Sequence, residues 1–88
     1  MDVLWDPRKA AQNLHKHGVR FSDAATVLDD PLVLTREDPD MDEERRYVSL
    51  GRDAVGRVLV VIWSEREGDL RLISARKASP GEARKYRR

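Results

Sequence analysis

The residues of this sequence that are best suited to chemistry are its cations. Arg66 and Arg76 lie near the ends of two predicted strands, and Lys9, Lys16 and His17 lie on one side of a predicted helix. A guanidinium offers planar, bidentate donors to phosphate, and an imidazole transfers protons near neutral pH. These residue types favour a ligand that carries phosphate groups, and nucleic acid is one candidate.

Charge is distributed unevenly along the 88 residues, although the net charge is only +1. Residues 22–44 carry one basic and nine acidic side chains, whereas residues 57–88 carry nine basic and four acidic ones. A basic segment of this kind can follow a phosphate backbone. Charged residues also solvate the surface of any small domain, so charge alone leaves both interpretations open.

RNA is a substrate that a cationic site can cleave without a metal ion, because its 2′-hydroxyl supplies the nucleophile. The reaction requires removal of the 2′-proton, stabilisation of the dianionic phosphorane and protonation of the leaving 5′-oxygen. Arginines suit the second task, and a histidine, or an acid with a shifted pKa, suits the first or the third. The predicted catalytic residues are Arg66, Arg76 and His17, and the predicted RNA-binding residues are Lys9, Lys16, Lys77 and Tyr86.

Each of these residues also has a structural interpretation. Arg76 could pair with an acid such as Glu65 or Glu82, and His17 suits the C-terminal end of a helix through the helix dipole. The lysines could simply face solvent, and Tyr86 could pack the last helix onto the sheet. The sequence alone does not separate these roles from catalysis.

Other kinds of site are not indicated by the sequence. The glycines form no nucleotide-binding pattern. His15 and His17 would point about 160° apart on a helix, so they cannot share a metal ion. We therefore expect neither a metal site nor a cofactor-binding site.

The absence of cysteine fits a reducing compartment. The first residues do not form a signal-peptide pattern, and the longest apolar run, residues 58–63, is too short to cross a bilayer. We expect a cytoplasmic protein that does not enter a membrane.

Two helices are predicted after a short apolar strand at the start of the chain. Asp6 is typical of an N-cap and Gly18 of a helix end, so the first helix is predicted over Pro7–His17. Ser22 is predicted to cap a second helix that begins at residue 23 and ends at residue 28 or 29.

Four strands and a short helix are predicted for the rest of the chain. The strands span residues 32–35, 46–50, 57–64 and 70–77, with a polar loop over 37–44 and hairpin connections over 51–56 and 65–69. Strict alternation along the last strand would place Arg76 on the same face as Leu70 and Leu72. A capping-box pattern at Ser79 predicts the short C-terminal helix.

The expected architecture is one α+β domain over residues 1–88. Short connections make the four strands an antiparallel meander. The two N-terminal helices are expected to bury their apolar faces on this sheet.

Three groups of residues together resemble the BrnT family of toxins. They are Trp5-Asp6-Pro7, Lys9-Ala10, Asn13, Lys16-His17-Gly18-Val19 and Phe21; Gly56-Arg57-Val58-Leu59-Val60-Val61 with Glu65-Arg66; and Arg71-Leu72-Ile73-Ser74-Ala75-Arg76-Lys77-Ala78 with Glu82 and Tyr86. The groups occur in the family's order over nearly the whole chain. Each motif alone is weak, and the combination is specific.

The resemblance implies a RelE-like fold and an endoribonuclease that inhibits translation when free. It also implies neutralisation by a BrnA-type ribbon–helix–helix antitoxin, in a toxin₂–antitoxin₂ assembly that contacts DNA only through the antitoxin. All seven candidate residues lie within these motifs: Lys9, Lys16 and His17 in the first group, Arg66 in the second, and Arg76, Lys77 and Tyr86 in the third. Two alternatives stay open: a non-catalytic module that binds RNA or a partner, and a co-repressor that acts with the antitoxin.

Overall fold

Five strands form one mixed β-sheet in the computed structural model, which describes residues 2–38 and 45–87. In chain order the elements are β1 (Val3–Leu4), α1 (Pro7–His17), α2 (Phe21–Val27), β2 (Leu34–Asp38), β3 (Arg45–Arg52), β4 (Val58–Arg66), β5 (Asp69–Lys77) and α3 (Pro80–Tyr86). The sheet order is β1-β5-β4-β3-β2, with β1 parallel to β5 and the other pairs antiparallel. The α+β class is confirmed. The four-stranded antiparallel sheet is wrong, because β1 adds a parallel strand at the edge of β5.

The ends of α1 and the start of α3 follow the predicted capping patterns. The Asp6 side chain accepts a hydrogen bond from the N–H of Arg8, and Gly18 ends α1 with a φ of 70°, in the left-handed region. At α3, the side chains of Ser79 and Glu82 each accept a hydrogen bond from the other's backbone N–H.

The start of α2 differs from the prediction. It begins at Phe21, and Arg20 rather than Ser22 is its N-cap, without a side-chain capping bond. Phe21, Ala24 and Val27 lie at helical spacing and are buried. Burial of Phe21 in the core therefore fixes the first turn of α2.

The three helices lie on different parts of the sheet. α1 packs along β5, and α2 packs against β3, β4 and β5 on the same face. Their core with the sheet consists of Val19, Phe21, Ala24, Val27, Leu59, Val61, Leu70, Leu72 and Ala75. The helix arrangement differs from the prediction, because α2 packs across β3, β4 and β5, whereas α1 packs mainly along β5, near the sheet edge. In the described residues, no helix is long and apolar enough to span a membrane.

We call the side of the sheet that carries α1 and α2 the core face, and the opposite side the α3 face. The α3 face is defined by the outward side chains of β3 and β4, such as Leu50 and Val60, which line a groove together with Glu82 and Lys85 of α3. α3 thus covers part of the side of the sheet that the first two helices leave open.

Strand β2 extends into the loop that the sequence predicts over residues 37–44. It begins at Leu34 and continues to Asp38, which lies opposite Arg46 of β3. An opposite-charge pair across two strands stabilises such an extension. The rest of the predicted loop, residues 39–44, lies outside the described residues.

A bulge in β5 changes which of its side chains face the core. Ser74 and Leu72 pair with consecutive residues of β4, which leaves Ile73 as an extra residue. Leu72 and Ala75 therefore both belong to the core, and Arg76 faces the α3 side. The predicted face of Arg76, shared with Leu72, is wrong for this reason.

Candidate functional site

An open groove of about 390 Å³ lies on the α3 face, between the sheet and α3. Its apolar residues are Leu34, Val48, Leu50 and Val60, and its polar residues are Thr35, Arg36, Glu82 and Lys85. Leu34 remains 46% exposed, so apolar surface is accessible at the outer strand. An apolar floor with cations beside it can hold a flat or apolar group next to a negative charge.

Arg76 forms a bidentate ion pair with Glu82, which belongs to this groove. The Nη1–Oε1 distance is 2.8 Å and the Nη2–Oε2 distance is 3.0 Å. The hydrogen bond from Arg76 lowers the pKa of Glu82 to about 2, and the same bond raises the pKa of Arg76. Arg76 thus has the pairing role that the sequence left open, yet 44% of its side chain is exposed.

The C-terminal end of α3 is tied to the connection between α2 and β2. The hydroxyl of Tyr86 donates a hydrogen bond to Asp30, and the Tyr86 ring lies 5.8 Å from the guanidinium carbon of Arg52. Burial alone would raise the pKa of Asp30, but hydrogen bonds from Tyr86, Arg52 and Leu32 hold it below its usual value. The bond to Asp30 also raises the pKa of Tyr86. Tyr86 therefore anchors α3.

Three further arginines lie on the α3 face by strand register. Arg46 is opposite Ser64, which is opposite Arg71 on the next strand, and Arg66 follows Ser64 by two residues. Ser64 is buried, and the Nε of Arg46 is buried without a hydrogen-bond partner in residues 2–38 and 45–87. Sequence reasoning missed Arg46 and Arg71, because their shared face depends on strand pairing and on the bulge.

Lys9, Lys16 and His17 of α1 lie together in a second cleft, at the edge of β5 beyond the short β1, which we call the α1 cleft. This cleft measures about 240 Å³ and also includes Ile73 and Ser74. Because Ser74 pairs with an α3-face residue of β4, the cleft borders the α3 face at the sheet edge. The lysines and the histidine that the sequence placed together are therefore brought together.

The structure divides the predicted site residues into separate groups. Arg66 and Arg76 lie on the α3 face; Lys9, Lys16 and His17 lie in the α1 cleft; Lys77 is opposite Leu59 on the core face; and Tyr86 is bonded to Asp30. His17 and Arg76 thus belong to different surfaces that approach each other at the edge of β5.

Asn13 has a structural role that sequence reasoning missed. Its side chain, 6% exposed, donates to the carbonyls of Val19 and Ala75 and accepts from the N–H of Ala75. It therefore satisfies the N–H and C=O of Ala75 on the edge of β5 away from β4, beyond the two residues that pair with β1. The signal that could have found it is a polar residue beside the apolar positions of α1.

A family model described as "Ribonuclease toxin, BrnT, of type II toxin-antitoxin system" matches residues 5–82. No curated protein matches the sequence. Among solved structures, the chain is similar to the 1.1 Å crystal structure of the Brucella abortus ribonuclease toxin, BrnT. The TM-score is 0.67 and the sequence identity 27%, over 90% of this chain and 97% of that chain. The chain therefore belongs to the BrnT family of ribonuclease toxins of type II toxin–antitoxin systems.

Proposed function

We propose that this protein is an endoribonuclease that cleaves RNA through the RNA's own 2′-hydroxyl, without a metal ion, and thereby inhibits translation. The observation that carries the proposal is the position of Arg76. Its side chain is 44% exposed, and its guanidinium is paired with a residue of an open, apolar-floored groove in a chain of the BrnT family. In this arrangement a base can occupy the groove while the guanidinium binds the adjacent phosphate.

Arg76 is the residue to which we assign stabilisation of the phosphorane. Arg66, farther along the same face, is a second candidate cation for the RNA. The guanidinium of Arg76 already binds one planar anion, the Glu82 carboxylate, through two hydrogen bonds. A phosphate offers the same bidentate acceptor geometry with a larger negative charge. When substrate binds, Arg76 must therefore either replace its hydrogen bonds to Glu82 with hydrogen bonds to phosphate, or donate to both groups at once.

The α1 cleft extends this site around the edge of β5. We assign Lys9 and Lys16 to phosphates that flank the cleaved bond, because Ser74 borders both their cleft and the α3 face. His17 lies in the same cleft, and its imidazole is our candidate for proton transfer. We assign Lys77, at the end of β5, to a phosphate that is farther from the cleaved bond.

A BrnA-type ribbon–helix–helix antitoxin is the proposed partner, in a toxin₂–antitoxin₂ assembly that contacts DNA through the antitoxin alone. An acidic, amphipathic segment would match the groove, since exposed Leu34 lies beside Arg36 and Lys85. We place the complex in the cytoplasm, where messenger RNA is translated. Co-purification with the product of an adjacent gene is the expected result.

The alternative is a module that binds RNA or the antitoxin without cleaving. The closed Arg76–Glu82 pair favours it, because the guanidinium is neutralised in the free chain. A co-repressor of this kind would leave growth unaffected when expressed alone.

The test is incubation of purified, antitoxin-free protein with end-labelled RNA in EDTA. Cleavage supports the nuclease and excludes the binding module. If the RNA stays intact, on translating ribosomes as well, while the protein binds it with a steep dependence on salt, the binding module is the correct description.

A further inference from the structure

We propose that Arg46 and Arg71 form a second phosphate-binding subsite on the α3 face, separate from Arg76, for the backbone of the RNA. The inference rests on the proposed RNA substrate. It adds two residues that belong neither to the predicted site nor to the groove beside α3.

The two arginines flank one buried serine on three adjacent strands. Arg46 of β3 lies opposite Ser64 of β4, and Ser64 lies opposite Arg71 of β5. Neighbouring strands are about 4.8 Å apart, so the two arginine backbones are separated by roughly 10 Å across the serine. Side chains as long as arginine can converge on one anion over that distance.

Arg46 also has an unused hydrogen-bond donor. Its Nε is buried without a partner among the described residues, and a buried donor of this kind is rare in folded proteins. Asp38 lies opposite Arg46 on β2, yet no described residue provides an acceptor for the Nε. The Nε and an Nη of one guanidinium together match two oxygens of a phosphate.

The subsite is distinct from Arg76 along the same strand. Arg71 precedes Arg76 by five residues of β5, one of them the bulge, which corresponds to roughly 15 Å. The two positions therefore contact different phosphates of one strand. A subsite away from the cleaved bond raises affinity and sets where the RNA lies, without taking part in bond breaking.

The sequence offers a matched control for Arg46 in the adjacent residue. Arg45 carries the same charge on the same strand, but alternation turns it to the core face, on which Ser49 is buried. Arg45→Ala and Arg46→Ala thus remove one cation each from opposite sides of the sheet. Arg71→Ala is the second test variant, because Arg71 is exposed and we expect its removal to leave the fold intact.

The experiment measures binding of a 2′-O-methyl oligonucleotide, which cannot be cleaved, at several salt concentrations. Arg46→Ala and Arg71→Ala are each expected to weaken binding about 10-fold and to lower the salt slope by about 0.7, the value for one phosphate contact on a single strand. Arg45→Ala should bind the oligonucleotide with the affinity and the salt slope of the wild type. In the cleavage assay, KM should rise while kcat stays near the wild-type value.

Three other outcomes would overturn the subsite, the nuclease proposal or both. Equal binding by Arg45→Ala, Arg46→Ala and Arg71→Ala overturns the subsite while the nuclease proposal stands. Wild-type protein that binds the oligonucleotide but never cleaves RNA overturns the nuclease and leaves the subsite supported. Wild-type protein that neither binds nor cleaves overturns both.

Discussion

The guanidinium of Arg76 and the carboxylate of Glu82 are the two groups whose pairing most affects the proposed chemistry. Glu82 also accepts a hydrogen bond from the backbone N–H of Ser79, so one carboxylate caps α3 and holds Arg76 at the same time. A residue that is fixed in this way is preorganised, which favours catalysis. The same contact competes with a substrate phosphate.

Replacement of Glu82 by glutamine tests the competition. Glu82→Gln removes the negative charge but keeps an acceptor for Ser79, so RNA should bind roughly threefold more tightly. Fluorescence anisotropy with a 2′-O-methyl oligonucleotide measures this. Glu67→Gln, an equal change of charge in the turn between β4 and β5, is the control and should have no comparable effect. Weaker RNA binding by Glu82→Gln would show that the carboxylate positions Arg76 and does not compete with phosphate for it.

The pH dependence of stability also follows from this pair. The pKa of Glu82 is lowered from 4.5 to about 2, so the folded chain binds this proton less readily than the unfolded chain. The pair therefore stabilises the fold above the unfolded pKa, and its contribution is lost as the pH falls towards the folded pKa. In urea unfolding, the wild type should be more stable than Glu82→Gln at neutral pH, and the difference should shrink at about pH 3. A difference that stays constant with pH would contradict this.

Substitution of Asn13 is expected to change only the stability of the fold. Asn13→Ala leaves both backbone groups of Ala75 and the carbonyl of Val19 without their side-chain partner. We expect a loss of about 2–4 kcal/mol in the free energy of unfolding. The exposed neighbour Gln12 provides the control, since Gln12→Ala should change it by less than about 0.5 kcal/mol. A similar effect of both substitutions would refute the role of Asn13.

At the scale of elements, α3 is a short helix held at its two ends. The capping box fixes its first turn, and Tyr86 fixes its last turn to Asp30. None of its described residues is buried, so these polar contacts rather than apolar packing determine its position.

The anchoring bond is tested by Tyr86→Phe, which keeps the ring beside Arg52 and removes the hydroxyl. Loss of a hydrogen bond to a carboxylate should cost about 1–2 kcal/mol, mostly in the local stability of α3. Amide hydrogen exchange should therefore accelerate in α3 and stay unchanged in α1. Unchanged exchange in α3 would mean that Tyr86 does not anchor it.

The elements differ in how far local sequence determines them. α1 and α3 could be predicted with their caps, because Asp6, Gly18 and the Ser79–Glu82 box act within a few residues. The pairing of β1 with β5 and the bulge at Ile73 depend on contacts between distant segments. Period-two alternation cannot reveal a bulge, so the face of Arg76 was predicted wrongly.

At the scale of the whole molecule, the sheet separates a packing side from a side suited to binding. α1 and α2 cover the core face, whereas the α3 face keeps an open groove with an apolar floor. The chemical types of the candidate residues could be predicted from the sequence. Their division between this face and the α1 cleft, and the presence of Arg46, could not, because both depend on strand register.

The central claim is that the α3 face cleaves RNA with the help of Arg76. Its most direct test is RNA cleavage in EDTA by the wild type, Arg76→Ala and Arg20→Ala, with folding checked by thermal unfolding. Arg20 is an exposed cation at the start of α2, on the side of the sheet that carries α1 and α2. We predict that Arg76→Ala lowers the cleavage rate about 100-fold or more, while Arg20→Ala cleaves like the wild type. A folded Arg76→Ala variant that cleaves at the wild-type rate would contradict the account.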